Sequence, residues 1–261
     1  MENQINKTVQ LDKRPVNAER DIELINRHSL KELKPEDVFV FSVVLCDNNI
    51  DRDNEGFDSP GLMKMAQLFE GKTGIFNHSW DANDQVARIY KAVVETTDEK
   101  NTLGEPEKRL LASAYILREY NGELISKIEG GILKEVSIGF RVEKVECSIC
   151  GKRMMRRSCE DGHVKGKEVD GKLCYGLLKN PTEAYEFSFV AVPAQRNAGV
   201  VKGLEDVQKA VKDILATDLS EYPEQAEQII EHCKTSLMKD EERARREELI
   251  TINKNLTEER K

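Results

Sequence analysis

Val38-Phe39-Val40-Phe41-Ser42-Val43-Val44-Leu45 is a short, almost unbroken apolar run rich in β-branched and aromatic side chains. Such side chains suit a pleated surface, and a run this short between polar flanks predicts a buried central strand. After the loop from Cys46 to Asp58, Ser59-Pro60 supplies a capping hydroxyl and a proline at the first helical position. Leu62, Met63, Met65, Ala66 and Phe69 then give one apolar face, and Gly71 is placed to end the helix.

Beyond that helix the strand signals return. Val86 to Val94 and Leu110 to Leu117 read as strands, joined by an exposed, charged loop from Thr97 to Lys108 that contains Gly104 and Pro106. Glu119 to Glu129 places Leu124, Ile125 and Ile128 at helical spacing before Gly130-Gly131. Val136 to Val145 and Ala184 to Val192 read as two further strands, the second closed by Pro193. Many strands with two or three short helices favour a β-barrel or sandwich over a βαβ repeat.

The flanks differ from this core. Residues 1–34 read as a flexible N-terminal arm, and residues 35–203 as the core. Residues 204–261 read as a charged helical tail, with Val207, Val211, Ile214 and Leu215 on one amphipathic helix and Ala226, Ile229, Ile230, Cys233 and Leu237 on a second. The whole chain has 261 residues and a net charge of −8, so its surface as a whole is unsuited to coating nucleic acid or anionic membrane. No run approaches the roughly 18 to 20 apolar residues of a membrane span, and the first twenty residues lack the apolar centre of a secretory signal. The expected location is the cytoplasm of the producing cell.

Four of the six cysteines lie between Cys147 and Cys174, with Cys46 and Cys233 apart. In a reducing compartment such a cluster reads as metal ligands before disulfides. Cys147-Ser148-Ile149-Cys150-Gly151-Lys152 is a CxxCGK knuckle, in which glycine permits the turn that aims backbone N–H groups at the sulfurs. Cys159, His163 and Cys174 follow, so five donors compete for four tetrahedral positions. A structural zinc is expected, because a thiolate-rich closed site leaves no open position for a reacting water. Lys152, Arg153, Arg156 and Arg157 make the knuckle locally basic, which keeps a nucleic-acid finger as an alternative.

Three other strings bear on chemistry: Gly74-Ile75-Phe76-Asn77-His78-Ser79-Trp80, Lys134-Glu135-Val136-Ser137-Ile138-Gly139-Phe140, and Tyr185-Glu186-Phe187-Ser188-Phe189-Val190-Ala191-Val192-Pro193-Ala194. As an ordered set they resemble the prohead proteases of tailed bacteriophages, capsid-maturation serine proteases related to herpesvirus assemblin. The resemblance covers roughly residues 35–203. It implies a mainly β, α+β fold: an assemblin-like β-barrel flanked by helices, with the nucleophile and its histidine base on adjacent strands.

Carried over by motif, the resemblance implies Ser137 as nucleophile and His78 as general base. A serine hydroxyl needs a base to take its proton, and imidazole can accept and return one near neutrality. A third group must hold the imidazole tautomer. Glu186 on the closing strand is the expected member. Glu135 competes with it, since it lies two positions before Ser137 and so on the same strand face. Arg196, acting through a water, and backbone N–H groups near Gly139 are alternative oxyanion helpers. Ser188 repeats the E-x-S pattern but stands in the strand expected to hold the third member, which makes it a poor nucleophile.

The window 146–178 then reads as a zinc-knuckle insertion at the tip of a β-hairpin, where a metal offsets the entropy of closing a long loop. The resemblance further implies a homo-oligomer packaged in the procapsid, in the host bacterial cytoplasm. It would act on the major capsid protein, on scaffold segments and on its own C-terminal tail. The rival expectation is a zinc-stapled capsid scaffold or morphogenesis protein that keeps the fold without catalysis. A zinc-dependent nucleic-acid module is discouraged by the acidic balance.

Overall fold

The apolar run at residues 38–45 forms all but the last two residues of a long strand, β1 (Val38–Asp47), in a computed structural model that describes residues 18–201. The expected tail helices, and the first part of the arm, lie outside the described residues. The remaining strands are β2 (Glu55–Phe57), β3 (Thr73–Phe76), β4 (Ala87–Lys100), β5 (Pro106–Leu117), β6 (Val136–Cys147), β7 (Glu168–Val169), β8 (Lys172–Leu173), β9 (Gly176–Phe189) and β10 (Gly199–Val201). Among the described residues three α-helices accompany them: α1 (Ala18–Asn26), α2 (Ser59–Phe69) and α3 (Gly122–Glu129).

The architecture is mainly β, with a mixed main sheet in the order β10-β1-β5-β4-β3-β9-β2. β6 pairs with β9 along its other edge. β1, β5 and β4 form an antiparallel unit, whereas β2 and β3 meet β9 in parallel. α2 packs on the inner face, where Leu62, Met65 and Phe69 join Val43, Leu45, Ile89, Leu110, Phe187 and Phe189 in the buried core.

The barrel expectation is corrected, because the sheet does not close. The chain just before β6 reaches β10 through one isolated bridge, Glu135 to Gly199, and the bonds Val136 N–H to Ala198 O and Val200 N–H to Lys134 O. These few bonds bring two sheet ends together without a continuous ladder.

Three other readings shift. Within the expected arm, residues 18–34 hold α1, with Ile25 and Leu33 buried against Val38, Tyr90 and Tyr115. The α2 cap is Asp58, whose carboxylate accepts the Gly61 N–H at 2.7 Å, so Ser59 falls inside the helix. The loop between β4 and β5 is tighter than Thr97 to Lys108. There Asn48 accepts the Lys108 N–H, and the Glu107 carboxylate accepts from Asn49 and Thr97, so both ladders extend.

Candidate active site and metal centre

β9 carries the site because it has neighbours on both edges. Ile75 of β3 and Ser137 of β6 are each opposite Ser188, and Gly139 is opposite Glu186. Residues two apart on a strand share a face, so Glu186 and Ser188 project together, beside Ser137, away from the core residues Phe187 and Phe189. The expectation of base and nucleophile on adjacent strands is corrected here: β9 lies between β3 and β6. It intervenes because it holds β3 in parallel and β6 antiparallel over the same four residues, 186–189.

His78 follows β3 in a tight turn. Asn77 and His78 both take the left-handed conformation, with φ of 50° and 54°. Asn and His enter that region more readily than most residues, at a cost on the order of 1 kcal/mol each. The turn is fastened to the end of β9: Asn77 N–H donates to Phe189 O at 3.1 Å, and His78 N–H donates to Ser188 Oγ at 2.9 Å.

The imidazole Nδ1 lies 2.8 Å from Glu186 Oε1. An ionised carboxylate only accepts, so Nδ1 carries the proton and Nε2 keeps its lone pair. Glu186 is nearly buried while the His78 side chain is 45% exposed, so the ring is held from within and open on its outer side. The second carboxylate oxygen, Oε2, accepts the Ser188 hydroxyl at 2.7 Å. Ser188 is fully buried, and its hydroxyl proton is committed to Glu186.

Ser137 is half-buried, and among the described residues its hydroxyl makes no hydrogen bond. Directly opposed residues of an antiparallel pair have Cβ atoms about 4.5–5.5 Å apart, which sets Ser137 beside Ser188, whose hydroxyl oxygen in turn accepts the His78 N–H. Glu135, the competitor, is turned to Lys134 at 3.7 Å, so Glu186 alone of the two reaches His78.

Gly139 does something the sequence did not reveal. A Cβ there would come within 2.4 Å of Glu186 Oε1, so the carboxylate occupies the space that any larger residue would fill. Arg196 is exposed and makes no hydrogen bond or ion pair among the described residues. Sequence reasoning also missed Ser188 as a site partner; the two-residue spacing from Glu186 was the available signal.

The cysteine window runs from the end of β6 to the start of β9, two strands that pair antiparallel. Cys147, Cys150, Cys159 and His163 bring one ligand atom each to within 4.8 Å of one another. Cys147 Sγ is 3.7 Å from His163 Nδ1, and Cys150 Sγ is 3.7 Å from Cys159 Sγ. Sulfurs about 2.3 Å from a tetrahedral zinc lie roughly 3.8 Å apart, so these separations fit one ion. Cys174, the fifth expected donor, sits 3.8 Å from Cys147 but outside that group of four.

Two turns of similar design present the donors. Gly151, at φ 70°, donates to Cys147 O, and the Cys147 N–H returns to Lys152 O. Gly162, at φ 84°, donates to Cys159 O, and the Cys159 N–H returns to His163 O. Burial pushes the Cys147 thiol up, but the N–H groups of Cys150 and Ile149, with the neighbouring thiols, bring it below its usual value. Cys150 is pushed up to about 11; the Lys152 N–H opposes this, but partial burial and the thiols of Cys159 and Cys147 outweigh it. Burial, then the proximity of Cys147, raises Cys174 to about 11 as well.

The insertion is also tied to the core. Lys165 pairs with Glu55, and the Gly176 N–H donates to Asn54 O at 2.9 Å. Among the described residues no helix is long and apolar enough to cross a membrane. No protein-family model matches the chain, and no curated protein matches it.

Proposed function

We propose that the chain is a serine endopeptidase in which Ser137 is the nucleophile, His78 the general base and Glu186 the residue that orients it. The observation that carries this reading is the 2.8 Å contact between His78 Nδ1 and Glu186 Oε1, on the strand register that sets Ser137 opposite Ser188. Ser137 Oγ would attack the carbonyl carbon of the scissile peptide while its proton passes to His78 Nε2. Glu186 stabilises the resulting imidazolium through Nδ1–H. The tetrahedral intermediate collapses as the C–N bond breaks and His78 returns the proton to the leaving amine. Water, deprotonated by His78, then hydrolyses the ester on Ser137.

The likeness of the three strings to prohead proteases supports an assemblin-like core. It also supports the major capsid protein and scaffold segments as substrates, the chain's own tail as a further one, and a homo-oligomer within the procapsid as the setting. The cysteine cluster supports a structural zinc held by Cys147, Cys150, Cys159 and His163, closing the long loop between β6 and β9. The rival, a zinc-stapled scaffold without catalysis, shares the metal site but gives no reason for the His78–Glu186 pair. Purified wild type and Ser137→Ala, compared by intact mass over time, test the protease reading. Tail loss confined to wild type supports it, and two chains cut identically overturn it.

A further inference from the structure

We infer that Ser188 is a positioning residue of this site, fixing the backbone and the ring of His78 to one carboxylate; this rests on the protease reading above. The geometry is a closed ring of three hydrogen bonds. His78 N–H donates to Ser188 Oγ at 2.9 Å, the Ser188 hydroxyl donates to Glu186 Oε2 at 2.7 Å, and Glu186 Oε1 pairs with His78 Nδ1 at 2.8 Å. A hydroxyl has one proton to give and can accept at the same time, so a serine is able to close such a ring.

Without Ser188 two freedoms return. The carboxylate keeps its contact with Nδ1 but can swing about its own axis, because Oε2 has lost its donor. The left-handed turn at Asn77-His78 loses the bond from its second residue, keeping the Asn77 N–H bond to Phe189. Either movement loosens the placement of the His78 ring, and with it of Nε2. Gly139 completes the arrangement from below, since only a glycine leaves room for the carboxylate oxygen that faces His78. Ser188 is fully buried, so it orders the site without touching substrate.

The test uses a fluorophosphonate, which phosphonylates a base-activated serine: the Oγ–P bond forms, fluoride leaves, and the proton passes to the base. Labelling of the full chain is followed by intact mass, and the modified peptide is identified. Wild type is expected to label at Ser137, and Ser137→Ala is not. Ser188→Ala should label about tenfold to a hundredfold more slowly at saturating reagent, with unchanged reagent affinity, as small misplacements of a catalytic group do. Ser188→Thr, which keeps the hydroxyl, should recover most of the rate. A folded Ser188→Ala chain that labels as fast as wild type overturns the inference while leaving the protease reading intact. A folded wild type that never labels at Ser137 overturns both. Backbone exchange gives an answer that needs no variant: the His78 amide should be protected in wild type, and rapid exchange there also overturns the inference.

Discussion

His78 and Glu186, 108 residues apart in the chain, meet at 2.8 Å through Nδ1 and Oε1 because β3 and β9 run parallel and end together. The pairing leaves Nε2 as the only ring nitrogen able to accept a proton. Glu186→Gln keeps the shape but allows the amide to donate to Nδ1, which stabilises the wrong tautomer. Peptide-bond cleavage, or fluorophosphonate labelling, should fall by about a thousandfold or more, while the melting temperature moves little. Labelling within threefold of wild type would place the orienting group elsewhere.

Gly139→Ala tests the same carboxylate from the opposite strand. The added methyl would lie 2.4 Å from Glu186 Oε1, inside van der Waals contact, so the carboxylate must move. A drop of about a hundredfold in labelling rate is expected, with circular dichroism retained. At Gly139 the sequence points to a backbone N–H, and the structure adds a use for its missing side chain: the space is taken by Glu186 Oε1.

Metal removal has a defined target. Purified chain should carry one zinc, measured by mass spectrometry of the element. Cys150→Ser and Cys159→Ser should lose it, and Cys46→Ser should keep it. Cys174→Ser should keep it too, since Cys174 lies outside the group of four. On chelation the segment 148–175 should become sensitive to limited proteolysis, because the loop then has little to offset its closure entropy. Metal lost with Cys174 and kept without His163 would reassign the fourth ligand.

The loop before β2 offers a pH test. Burial raises the Asp51 carboxyl to about 6, although the N–H groups of Glu55 and Asp53 pull it the other way. Because the folded value lies above the ordinary one, the folded state binds more protons between about pH 4 and 6, and its stability falls as pH rises through that window. Asp51→Asn keeps an acceptor for both N–H groups and removes the charge. It should be about 1 kcal/mol more stable than wild type at pH 7.5, after allowance for solvent screening, with the difference vanishing near pH 4. Denaturant melts at the two pH values measure this. A variant less stable at pH 7.5 than at pH 4, relative to wild type, would contradict it.

What could be read from the sequence follows from how local each cause is. β1, α2 and β6 are written in their own apolar patterns. So is the knuckle, whose glycine and cysteine spacing suffice to define a turn. The arm reads as flexible because α1 is short, and what orders it is distant: Tyr90 and Tyr115 receive Ile25. The cap moved from Ser59 to Asp58 because either side chain can serve, and the partner of Lys179 on β9 is Asp58. The open sheet and the position of β9 between β3 and β6 are long-range pairings that no local pattern encodes. Ser188 was visible as the second half of E-x-S, but its bond to the His78 amide depends on a left-handed turn set by tertiary packing.

The most direct test is co-expression with the cognate capsid protein, comparing wild type with Ser137→Ala by gel and intact mass. The account predicts a shortened capsid protein, and loss of the charged tail, with wild type only. Cleavage of the capsid protein by both chains alike, or by neither, would contradict it.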